Sequence, residues 1–196
     1  MPKVFSGFTA TTAEKLLLDA GAFFKNFTVG TDTFDSAVTA GKLLGATQGG
    51  GTFSAVPTMR RLEIDGVKGA AKGLQVIDEW VVTLMANIKE ISEDAIVTAL
   101  GAGVASDGST GYRVIEANNY VQETDYIDNI TWVGKLSSTD TPVVIQVLNA
   151  LSTGGLSLTM ADKAEGLIPI TFTGHYDADN LDNPPFKIHY PDSTVV

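Results

Sequence analysis

Trp80-Val81-Val82-Thr83-Leu84-Met85-Ala86-Asn87-Ile88-Lys89 is the stretch on which the fold turns. Trp80, Val82, Leu84, Ala86 and Ile88 are apolar at every second position, which lines them along one face of a β-strand. Thr83, Asn87 and Lys89 take the other face, and Val81 and Met85 leave that side only partly polar. The extended segment runs from about Leu74 to Ile91. A strand from Val76 to Glu90 would be roughly 45–50 Å long at about 3.3 Å per residue. Strands average about 5–6 residues, so a bulge or an unusual partner is expected.

Working outward, Asp65-Gly66 is a tight reversal signal between this strand and an earlier extended segment, Thr52 to Asp65, where Leu62 and Ile64 alternate with Arg61, Glu63 and Asp65. Before it lies Gly45-Ala46-Thr47-Gln48-Gly49-Gly50-Gly51, read as a flexible loop. After the long strand, Ser92 is a good N-cap, and Glu93 and Asp94 sit where the helix dipole favours acids. That helix stops at Gly101, with Ile96, Val97 and Leu100 as its expected buried face.

These residues carry a resemblance. The run G-A-T-Q-G-G-G-T-F-S-A-V-P-T-M-R-R-L-E-I-D-G, then K-G, the W-V-V-T-L-M-A-N strand and the S-E-D-A-I helix resemble the major tail tube proteins of long-tailed bacteriophages of the siphovirus type. Upstream, L-L-L-D-A-G-A-F-F-K-N-F is similar to that family's first strand. The likeness covers Glu14 to Ala102 and is one of texture and order, without invariant catalytic residues. It implies a structural subunit of the virion tail, made in the bacterial host cytoplasm. Its partners would be copies of itself in hexameric rings stacked into a hollow tube, the other tail proteins (tape measure, tail terminator, distal tail), and DNA as passing cargo.

The family uses a long loop to stack one ring on the next. Here that implies Gly30 to Gly51, with Thr47, Gln48, Gly49, Gly50 and Gly51 as the inter-ring residues.

Composition fits this. The chain has 196 residues, enough for one domain with a sizeable core. Hydrophobic residues make up 44% and charged ones only 18%, as suits a surface partly covered by neighbours. With 13 bases against 23 acids the net charge is −10, which disfavours the phosphate neutralisation that DNA binding needs. An acidic wall would instead let DNA slide. Glu63, Asp65, Asp78 and Glu79 flank the first hairpin and are the candidates for lining such a lumen; six copies would bring roughly −60 to each ring, only part of it facing inward.

Cysteine is absent, which removes disulfides and thiolate metal sites. Met1-Pro2-Lys3-Val4 lacks a signal-peptide core, and no apolar run approaches the ~18–20 residues that span a bilayer. No membrane partner is expected.

Along the rest of the chain, residues 1–13 read as an N-terminal arm. Leu16 to Val29 reads as a strand kinked near Ala20-Gly21, in preference to a helix from Thr12 to Ala20. A turn or two of helix fits within Asp35 to Leu44. Further strands are expected at Tyr112–Ala117, Asp125–Leu136, Pro142–Leu148 and Phe186–Tyr190. A strand at Leu167–Thr173 points Ile168, Ile170 and Phe172 inward, and Pro169 confines it to an edge or bulge. Ala102 to Gly111 reads as a connector.

The expected fold is mainly β: a single-domain β-sandwich or partly closed barrel with one flanking α-helix and a long inter-subunit loop.

Catalytic patterns are missing. Gly41-Lys42 lacks the rest of a P-loop, and Gly49-Gly50-Gly51 is no dinucleotide fingerprint. His175 and His189 with Asp177, Asp179 and Asp182 imitate a metal site, but Leu181 stands where a calcium loop needs an oxygen. Asp78 and Glu79 are strand neighbours that point to opposite faces. Neither enzyme activity, metal nor cofactor is expected. The alternative function is a soluble β-sandwich binding module, for example for carbohydrate, with Trp132, Tyr126 or Tyr112 as a stacking platform.

Overall fold

The computed structural model describes residues 9, 12–17, 19–137 and 139–192. Of the N-terminal arm, residues 1–8, 10 and 11 therefore lie outside it. Among the described residues the chain is mainly β. Its strands are β1 (Ala22–Lys25), β2 (Thr47–Arg61), β3 (Gln75–Ile88), β4 (Gly103–Asp107), β5 (Arg113–Ala117), β6 (Ile127–Gly134), β7 (Val143–Ser152), β8 (Thr159–Ala161), β9 (Ala164–Thr173) and β10 (Phe186–His189). Two short α-helices, α1 (Phe34–Thr39) and α2 (Glu93–Leu100), accompany them.

One antiparallel sheet runs β1-β6-β7-β9-β3-β2, with β10 added to β7 and β8 to β9. It folds over on itself at β7, which pairs with β6 from Val143 to Ala150 and then with β9 at Leu151 and Ser152. Asn149 takes φ +45° just before this change of partner, a left-handed conformation that Asn tolerates better than most residues. Its side chain donates to the His175 carbonyl and holds the corner. The result is the expected sandwich, with β7 as the seam between layers.

The alternation read from the sequence sets the core. Val82, Leu84, Ala86 and Ile88 are buried, and opposite them on β9 so are Phe172, Ile170 and Ile168. Pro169 falls where β8 has ended at Leu167 and β7 has not yet joined at Phe172, so its missing N–H leaves no ladder bond unmade. The expected bulge in the long strand is at Asp78, where the register slips between Glu79 and Ile77. Leu62 and Ile64, read as strand, lie instead in the exposed connection beyond Arg61.

Ser92 caps α2 through its side chain, which accepts from Ala95 N–H. Of the expected buried face Ile96, Val97 and Leu100, Ile96 packs half-buried against the main core and the other two are half-buried, while the fully buried residues of α2 are Ala95 and Ala99. Ser152 Oγ donates to the Ala99 carbonyl at 2.8 Å, an approach that only small side chains on that helix face permit. Ala102–Gly111 is no plain connector: it contains β4, which pairs with β5 in a separate two-stranded ribbon.

The largest correction concerns residues 30–51. They are not a free loop. Thr33 caps α1 with a reciprocal capping box, and Ala37 packs with Phe24, Phe27 and Val144 in a second core on the outer face of β1 and β7. Leu44 N–H donates to the Phe23 carbonyl, which covers the edge of β1. A free-standing arm would have to give up this burial, so the segment belongs to the body of the protein.

Candidate assembly surface

The β2–β3 hairpin is longer than the sandwich it grows from. β9 accompanies β3 only from Thr83 to Ile88, and Phe186 closes the core at that level with ring contacts to Trp80 (5.5 Å) and Phe53 (5.9 Å). Beyond this lid β2 and β3 continue as a two-stranded ribbon to Arg61 and Gln75. Every residue of the connection from Leu62 to Ala70 is exposed, Leu62 and Val67 only in part.

Both faces of the ribbon carry solvent-exposed aliphatic pairs. Val56 (55% exposed) stands opposite Val81 (46%) on one face, and Met59 (58%) opposite Ile77 (47%) on the other. Isolated exposed apolar residues are ordinary; here each face of the ribbon exposes a cross-strand pair.

The outer edge of β2 is open as well. Val82 O accepts from Gly174 N–H and Trp80 N–H donates to Tyr176 Oη, so the even residues of β3 aim their backbone groups away from β2. Directly opposite residues in an antiparallel pair behave alike, so Phe53, Ala55 and Pro57 of β2 aim theirs outward. Pro57 has no N–H to leave unpaired. Among the described residues β2 ends the sheet, so Phe53 and Ala55 offer the donors and acceptors of an unpaired edge.

The four acids proposed for a lumen are not gathered in one place. Glu79 is on the outer face opposite Thr58, whose hydroxyl lies 3.4 Å from it. Asp78, in the bulge, is ion-paired with Arg60 at 3.2 Å. Glu63 and Asp65 lie in the connection. The face that carries Glu79 also carries the exposed Val56–Val81 pair, Met85 and a set of hydroxyl side chains, Thr52, Ser54, Thr58, Thr83, Thr171 and Thr173.

Thr47, Gln48, Gly49, Gly50 and Gly51, expected in a flexible inter-ring loop, are instead the first residues of β2. Gly49 (φ +77°) and Gly50 (φ +66°) build a bulge between the Thr47–Ile88 and Gly51–Ala86 pairs, and Gly50 lies against Ala20. Glycine is used there for its conformations and its thinness, not for mobility. The segment that reaches away from the body is residues 62–74. Its sequence signal was present in Gly66, Gly69 and Gly73, but Asp65-Gly66 alone reads as a two-residue turn.

The remaining candidates fall elsewhere. Trp132 is buried, and its Nε1 donates to the Ala20 carbonyl at 2.8 Å, so its ring offers no platform to a sugar. Tyr126 stacks edge-on against His175 at 5.1 Å, and Tyr112 is 76% exposed at the β4–β5 turn. His175 Nδ1 lies 3.1 Å from the Asn149 carbonyl and His189 Nε2 lies 3.2 Å from Gln146 Oε1, so the two histidines serve different parts of the frame. Among the described residues no three His, Asp or Glu side chains are gathered as a metal site would require, and no helix is long and apolar enough to cross a membrane.

No protein-family model matches the chain, and no curated protein matches it significantly.

Proposed function

We propose that this chain is the repeating subunit of a phage-type tail tube, which assembles with copies of itself into hexameric rings stacked around a channel for DNA. The observation that carries this reading is the β2–β3 ribbon, with the open outer edge of β2 and exposed aliphatic pairs on both faces. Adding a neighbour's strand to such an edge satisfies its backbone groups and buries its valines, and closing the ring leaves no edge over. The resemblance of Glu14 to Ala102 to tail tube subunits supports the same reading. In it, Glu63, Asp65, Asp78 and Glu79 remain the acids assigned to the channel, with Asp78 the weakest because Arg60 neutralises it.

Negative-stain microscopy and sedimentation at rising concentration test the proposal. The wild type is expected to form rings or tubes. Val56→Lys/Val81→Lys is expected to stay monomeric with an unchanged circular dichroism spectrum. A wild type that remains monomeric and binds glycans would replace this reading with that of a binding module.

A further inference from the structure

Where the corner of β7 meets the segment after β9, the surface is hollowed into a pocket of about 570 Å³, a size that suits a small ligand. Its back wall is fixed by the chain itself. The Asn149 side chain donates to the His175 carbonyl, His175 Nδ1–H donates to the Asn149 carbonyl, and Leu148 N–H donates to the Pro185 carbonyl at 2.9 Å. The outer rim is held by its own turn: Asp179 N–H donates to Asp177 Oδ1, and Asn180 N–H to the Asp177 carbonyl. The pocket is therefore formed before any ligand arrives.

Its polar groups are largely uncommitted. Among the described residues, the Asp128 carboxylate on β6, the Lys187 ammonium on β10 and the side-chain amides of Asn180 and Asn183 have no hydrogen-bond or ion-pair partner. His175 adds Nε2, an acceptor in the neutral ring once Nδ1–H is given to the Asn149 carbonyl. One such group at a surface is ordinary, because water satisfies it. Here five surround a single hollow whose apolar walls come from Leu148, Pro184 and Pro185.

The chemistry of the set narrows the ligand. An anion would face Asp128 and Asp177, with Asp179 and Asp182 on the same loop. A cation would meet Lys187 and leave both amide NH₂ groups unmatched, and among the described residues no three His, Asp or Glu side chains gather to hold a metal. A flat aromatic ligand needs a free ring to stack on, and Phe186 is already engaged with Trp80 and Phe53. What fits is a neutral molecule whose groups both donate and accept, with C–H faces to lay on the apolar walls.

From this we infer that the pocket is a saccharide site, in which sugar hydroxyls bridge Asp128, Asn180, Asn183 and Lys187 and the C–H face of the sugar ring lies on Pro184 and Leu148. The site is separate from Trp132 and Tyr112, and Tyr126 reaches it only through the His175 ring. It goes beyond the assembly reading and does not depend on it.

Saturation-transfer NMR on the full chain tests the inference, because it reads the ligand's signals whether the protein is a monomer or a tube. The probes are glucose, galactose, mannose and N-acetylglucosamine, each also as a trisaccharide, with adenosine for comparison. At least one saccharide is expected to bind saturably. Asn180→Ala/Asn183→Ala and, separately, Asp128→Ala are expected to weaken it by about tenfold or more, the scale of a lost hydrogen bond. All three positions are exposed, so circular dichroism is expected to stay unchanged. Tyr112→Ala is expected to bind as the wild type does.

No saturation of any saccharide, adenosine binding as tightly as the best sugar, or saccharide binding untouched by these substitutions would each overturn the inference and leave tube assembly standing. A chain that binds a saccharide through these residues but forms neither rings nor tubes keeps this inference and loses the assembly reading.

Discussion

An added Cβ at Gly51 would collide with the Met85 carbonyl oxygen and come within 2.6 Å of the Phe23 ring. The same residue read as part of a mobile glycine loop should accept alanine freely, even with a gain from the stiffer unfolded chain. The two readings predict opposite signs. In this fold Gly51→Ala is expected to destabilise the protein by about 1–3 kcal/mol, the cost of overpacking a close contact, measured by urea denaturation. An unchanged or higher midpoint would return the segment to the status of a loop. Gly21 behaves similarly: at φ +69° it lies against the Trp132 indole, which is the physical content of the kink expected at Ala20-Gly21. Single residues of this kind were legible as breaks in a pattern. What they touch was not.

At the scale of elements, the α1 segment shows what holds a stretch that reads as loop. Asp32 accepts from Thr28 N–H at 2.7 Å and from Lys42 Nζ at 2.6 Å, and so ties both ends of the segment together. The Lys42 hydrogen bond, and after it the Thr28 amide, holds the Asp32 carboxyl below its ordinary value of 3.8. A depressed folded-state pKa stabilises the fold fully above the unfolded value, and that contribution fades as pH drops through the folded one. Asp32→Ala is therefore expected to melt below the wild type at pH 7, with the gap narrowing only under about pH 3.8 and closing once the wild-type carboxylate is protonated. Melting curves from pH 7 to pH 2 check this; a gap that stays constant across the range would show that the ionised carboxylate is not what matters. In α2 the expected Ile96 does pack on the core, but the fully buried positions are Ala95 and Ala99, because the helix lies close to Ser152 and only small residues fit there. Ranking by hydrophobicity selects the largest side chains and misses a contact that selects for smallness.

For the whole molecule the issue is charge and passage. With net charge −10, the chain repels nucleic acid at long range. On the tail-tube proposal, replacing Glu63, Asp65, Asp78 and Glu79 together by lysine is expected to leave rings and tubes intact but make the tubes retain DNA, with an affinity that falls steeply with salt. Co-sedimentation of tubes with linear DNA between 50 and 200 mM salt, conditions over which several phosphate contacts register clearly, reads this directly. Variant tubes that ignore DNA would remove these four residues from the channel wall.

The amino-acid sequence by itself determined the strands with one buried face, the Ser92 cap and the acidic balance, because each is a local pattern: a period of two, a side chain beside its own helix, a count of charges. Only the tertiary structure decided that β1 pairs with β6 across more than a hundred residues, that β7 changes partners after Ala150, and that a glycine-rich stretch is a bulge pressed on Phe23. Strand partners and open edges are set by which distant segments compete for the same backbone hydrogen bonds. That competition leaves no mark in any short window of residues.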